Sequence, residues 1–145
     1  SSYGMGSVRI NLANSIEIIQ IVQNTAIKWL TSFKSESLEE LLHTSEAWGK
    51  SKNEEWRFLL DFLETWFRDL TWLSFDLPEN ELLNRYYTSN VDRVRDLKQC
   101  GKHFSLHQIF EIFREIGDSR IAINLNANKS LAIESLCLQI YRTVT

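Results

Sequence analysis

The chain has 145 residues, a formal net charge of −3, 43% hydrophobic and 12% aromatic residues, and one proline. This length fits one domain, and the apolar content is sufficient for a hydrophobic core. The acidic balance, with no basic stripe, argues against strong general nucleic-acid binding, and no apolar run approaches the roughly 18 residues of a membrane span.

Residues 1–7, SSYGMGS, are small and polar, and we interpret them as a cloning remnant before a single helical domain over residues 8–145. The two cysteines, Cys100 and Cys137, are too few for a secreted disulfide framework. We therefore expect reduced thiols in a cytoplasmic protein.

Helical periodicity predicts a first helix from about Val8 to Phe33, with Asn14 or Ser15 as alternative starts because both are good caps. Ser37 begins the sequence SLEE, which indicates a capping box with Glu40 at the start of a second helix. Gly49 is a typical end for that helix.

The third predicted helix opens with a capping box at Ser51 and Glu54 and runs to about Ser74. Glu64 and Arg68 fall on its solvated face, in the favourable acid-first spacing of four residues. The core-facing arc of this helix comprises Trp56, Leu59, Leu60, Leu63, Trp66, Phe67, Leu70 and Leu73.

Pro78 predicts a loop after the third helix, and a short fourth helix follows from Val91 to about Gln99, stopped by Gly101. Ser105 caps a fifth helix that continues to about Ile123. Its predicted core stripe comprises Leu106, Ile109, Phe110, Phe113 and Ile116. Asn128 caps the last helix, Ser130 to about Tyr141. No hairpin signal is present, so the sequence predicts an all-α bundle of five to six helices.

The sequence contains no GxxxxGK[ST] phosphate loop, no GxSxG elbow and no HExxH helix, so we expect neither catalysis nor a bound cofactor. One cluster suggests zinc, because Cys100, His103 and His107 lie within eight residues. No fourth ligand is nearby, however, and Gly101 and Ser105 indicate a helix boundary within the cluster. We favour an ordinary interhelical turn over a metal site.

Two aromatic residues of the third helix, Phe58 and Trp72, lie outside its apolar arc. Neighbouring helices that wrap a central helix would cover them. A partner-facing surface is the alternative, because aromatic side chains often anchor interfaces.

Three segments, in order, resemble the C-terminal domain of bacterial DNA polymerase III clamp-loader subunits, with delta-prime preferred over the related gamma/tau domain. TWFRDLTWLS at 65–74, with Arg68 and Asp69, is similar to the family's W-apolar-R-D-L-L helix. ELLN at 81–84 is similar to the stretch that follows it. The ending NANKSLAIESLCLQI at 126–140 resembles N-x-N-x-x-L-x-L-E-x-L-L, with Asn126, Asn128 and Glu134 in place. Lys129 and Thr71 depart from the family's usual proline and leucine.

The resemblance implies a non-catalytic oligomerisation domain. In this family the C-terminal helical domains of five subunits pack into a collar, which holds ATPase-type modules that load the sliding clamp onto primed DNA. The implied partners are other clamp-loader subunits, with little direct DNA contact by this domain, no membrane and no metal. The alternative from another class is a helical adaptor that binds a peptide or partner helix through Trp48, Phe58 or Trp72.

Two charges fall on apolar sides of their predicted helices, namely Arg120 on the fifth helix and Glu134 on the last. Each could extend along its helix to water. Because an unpaired charge on a packed face is costly, we predict that Arg120 and Glu134 lie close together, or share a partner such as Asp69.

Overall fold

The computed structural model describes residues 17, 19–50, 55–74 and 91–145, and every regular element within these ranges is a helix. The all-α prediction is therefore confirmed for the described part of the chain. Helix α1 covers residues 19–32, followed by α2 (Ser35–Lys50), α3 (Glu55–Ser74), α4 (Val91–Gly101), α5 (Leu106–Asn124) and α6 (Lys129–Val144).

Several predicted features lie outside the described residues. These are the remnant at 1–7, the beginning of the first helix, the capping box at Ser51 and Glu54, the loop at Pro78 and the ELLN segment at 81–84.

The turn between α1 and α2 is tight and is held by aromatic packing. Phe33 has a positive φ of 48°, which is uncommon for a bulky residue, and its N–H donates to the carbonyl of Trp29 at 2.7 Å. Its ring makes edge contacts with Trp29 and with Phe104, at centroid distances of 5.6 and 5.7 Å. These contacts hold the strained residue in place.

The predicted start of α2 is wrong by three residues. The helix begins at Ser35, directly after the turn, and the N–H of Leu38 donates to the carbonyl of Lys34 at 3.1 Å. Ser37 is consequently a buried position inside the helix rather than its cap. Glu40 reaches the Lys28 ammonium of α1 at 2.9 Å instead of a cap amide.

The helix caps at Ser105 and Asn128 are confirmed. Ser105 Oγ accepts from the N–H of Gln108 at 3.2 Å, and the Gln108 side chain accepts from the Ser105 N–H at 2.8 Å, which completes a capping box. Asn128 Oδ1 accepts from the N–H of Leu131 at 3.1 Å. Both patterns are local, so sequence spacing alone could predict them.

Helix α3 forms the centre of the core and contacts α2, α4 and α5. Its predicted apolar arc is buried, apart from the partly buried Leu73, and Phe62 is buried in addition. Helix α6 packs against α2 and α5, and α1 adds Trp29 and Leu30 to the same core. The described helices thus share one hydrophobic core.

The predicted core stripe of α5 is only partly correct. Four isoleucines are buried, namely Ile109, Ile112, Ile116 and Ile123. Leu106, Phe110 and Phe113, which the sequence analysis assigned to the core, are exposed instead. Helix α5 carries more apolar residues than one core-facing arc holds, and packing selects the isoleucines.

Candidate interaction surface

Helix α5 presents a second apolar arc to solvent. Leu106, Phe110, Phe113 and Ile121 lie beside the isoleucine arc, and Gly117 falls among them in the helical projection. Phe110 and Ile121 are 53% and 60% exposed. We call these five residues the α5 outer face. Contiguous exposed apolar surface of this kind is typical of interaction sites.

The α5 outer face joins an aromatic groove at α3. Trp72, Phe110 and Phe113, together with Arg68 and Thr71, line a cavity of about 280 Å³. Trp72 is 38% exposed although its helix forms the centre of the core. The structure therefore leaves Trp72 incompletely covered, which agrees with the partner-facing alternative of the sequence analysis.

Phe58 does not belong to this groove. It is partly buried against the core and lines a separate concavity with Phe62, Asp61 and Arg93. There Arg93 donates to the Gln23 side chain at 2.9 Å, and burial lowers the Arg93 pKa, with the nearby Asp96 charge opposing that shift. The two aromatic candidates therefore lie on different surfaces. The side chain of Trp48 lies outside the described residues.

Gly117 leaves a gap in the α5 outer face. A Cβ atom placed at this position would meet no atom within 4 Å, so the fold does not require glycine there. Its φ is also not positive. Gly117 is therefore an exposed notch in the helix surface.

The predicted proximity of Arg120 and Glu134 is wrong. The Arg120 guanidinium lies 2.8 Å from Glu64 Oε2 and 2.9 Å from Asp61 Oδ1, which are both on α3. Glu134 is exposed on α6. Helix α5 packs against α3 as well as α6, and the side of α5 that carries Arg120 faces α3. Glu64, which the sequence analysis assigned to solvent, is thus part of an interhelical ion-pair network.

The segment 65–74 of α3, which resembles the clamp-loader helix, contains one buried acidic residue. Asp69 is 1% exposed, and its Oδ1 lies 3.9 Å from the Nε of Arg68. Arg68 itself extends to the surface and lines the aromatic groove. The predicted sharing of Asp69 with Arg120 is not observed, since Arg120 pairs with the two other α3 carboxylates.

Asn126 and Asn128 shape the turn between α5 and α6. Asn126 has a φ of 68°, in the left-handed region that asparagine tolerates better than most residues. Asn128 caps α6. Both asparagines therefore have structural roles, one in the turn and one as the helix cap. On the outer side of α6, Glu134 lines a shallow cavity of about 240 Å³ with Leu131, Ser135, Leu138 and Arg142.

The structure does not support the zinc alternative. Cys100 is fully buried, and its sulfur accepts a hydrogen bond from the Trp66 indole at 3.3 Å. The side chain of His107 is 83% exposed and contacts Glu111, while the His103 ring packs edge-on against Phe33. Within the described ranges, no three His, Cys, Asp or Glu side chains are grouped so that they could hold a metal ion.

Both cysteines are buried thiols. Burial raises the pKa of Cys100 to about 12, with the Trp66 hydrogen bond opposing the shift. Burial raises the pKa of Cys137 to about 12 as well, and the charge of Glu134 adds to it. A thiol that stays protonated is a poor nucleophile and a poor metal ligand.

None of the helices described here is both long and apolar enough to cross a bilayer.

Sequence reasoning missed the α5 outer face because it counted Phe110 and Phe113 as core. The available signal was a second stripe of four isoleucines, which supplies the buried positions of α5: Ile109, Ile112, Ile116 and Ile123.

Comparisons of the chain with known protein families, curated proteins and solved structures give no match.

Proposed function

We propose that this chain is a non-catalytic helical oligomerisation domain of a bacterial DNA polymerase III clamp-loader subunit, most similar to delta-prime. In this role it joins the collar that holds the loader together while the sliding clamp is placed on primed DNA. The proposal rests on the sequence resemblance described above, together with an exposed apolar surface on a helical bundle.

The observation that carries the proposal is the α5 outer face with its aromatic groove. Phe110, Phe113 and Trp72 expose aromatic surface on one side of the described helices, and none of the three belongs to the buried core of that part of the chain. Large aromatic side chains supply much of the binding energy when a partner covers them. A domain that acts by assembly needs such a surface and needs no catalytic group.

The family-like segments have roles that suit a scaffold. The segment 65–74 contributes Trp66, Phe67 and Leu70 to the core and Arg68 and Trp72 to the groove. The segment 126–140 supplies the α5–α6 turn, the α6 cap and four buried residues of α6. These core, cap and surface roles support a scaffold function for the two segments.

The direct test mixes the purified chain with the clamp-loader subunits of the same organism and measures complex formation by sedimentation. We expect a mainly monomeric chain by itself and a hetero-oligomer with its partners. Phe110→Glu should weaken the complex, whereas Ile21→Glu, which adds the same charge at an exposed position of α1, should leave it intact. If the chain binds none of the loader subunits, including when it is tested within the full-length protein, the proposal is contradicted.

Nucleotide binding provides a second test. Because the sequence has no phosphate loop, the chain should neither bind nor hydrolyse ATP at physiological concentrations. Saturable micromolar ATP binding by the isolated chain would contradict the proposal. If Phe110 instead mediates binding to a helix from a protein unrelated to replication, the adaptor alternative is correct.

A further inference from the structure

We draw no further inference here: the strongest candidate, the exposed apolar surface that the α5 outer face forms with the groove beside Trp72, carries none because nothing in the structure shows what covers it.

Discussion

Arg120 allows a sharp test of how α5 is fixed to α3. Its guanidinium contacts two carboxylates that lie three residues apart on α3, at 2.8 Å from Glu64 and 2.9 Å from Asp61. The Arg120 side chain is 30% exposed, whereas the Glu64 and Asp61 side chains are 47% and 65% exposed. The two pairs are therefore partly screened by solvent, although the arginine is mostly enclosed.

Replacing Arg120 by alanine removes both ion pairs and leaves two like charges side by side. Partly exposed pairs contribute up to about 1 kcal/mol each, so we expect Arg120→Ala to lower the free energy of unfolding by about 1–2 kcal/mol. Glu64→Gln removes one pair and should cost about 0.5–1 kcal/mol. Glu134→Ala changes an exposed position and should stay within about 0.5 kcal/mol.

Urea denaturation is the suitable assay, because guanidinium is itself a salt that screens ion pairs. The double mutant of Arg120 and Glu64 should show a coupling energy of about 0.5–1 kcal/mol, whereas Arg120 and Glu134 should be additive within about 0.5 kcal/mol. In 1 M NaCl the Arg120–Glu64 coupling should shrink, since the Debye length falls to about 3 Å. Strong coupling between Arg120 and Glu134, or a loss below about 0.3 kcal/mol for Arg120→Ala, would refute this description of the network.

Three further predictions concern the fold. Gly117→Ala should raise the free energy of unfolding by about 0.5–1 kcal/mol in urea denaturation, and a decrease would show that the position is constrained within the chain. Asn128→Ala should cost about 1 kcal/mol through the lost cap, and Asn126→Ala about 1 kcal/mol through its left-handed φ, whereas Asn126→Gly should be close to neutral. Because burial raises the folded pKa of Cys100 and Cys137 to about 12, unfolded thiols ionise first as the pH rises. Their contribution to stability, intact below pH 9, should then be lost progressively above it, and the double Cys→Ala variant should show a flatter decline between pH 9 and 10.

Local features of this fold could be predicted from sequence, and choices between helix faces could not. The caps at Ser105 and Asn128 depend on residues within three positions of each other, so their spacing is sufficient evidence. The start of α2 was misplaced because the turn at Phe33 is held by a distant contact with Phe104, which no local pattern reveals.

The candidate surface depended on tertiary information. Periodicity showed that α5 is apolar but could not decide whether Phe110 or Ile112 faces the core, because both arcs have a helical repeat. The predicted partners of Arg120 were Glu134 on α6 or a shared acid such as Asp69 on α3, whereas two other carboxylates of α3, Glu64 and Asp61, pair with it. Trp72 was identified correctly as a residue outside the main arc, since a single helix was enough to place it.

The distribution of tryptophans provides the protein with an internal optical probe. Trp29, Trp56 and Trp66 are almost completely buried, whereas Trp72 lines the groove beside Phe110 and is partly exposed to water. Among the tryptophans whose side chains are described, only Trp72 should therefore respond to a bound partner. Its fluorescence emission should shift to the blue, and iodide should quench that fluorescence less. Partner binding can then be followed by intrinsic fluorescence without a label, and the Trp72→Phe variant, which lacks the responding tryptophan, is the control.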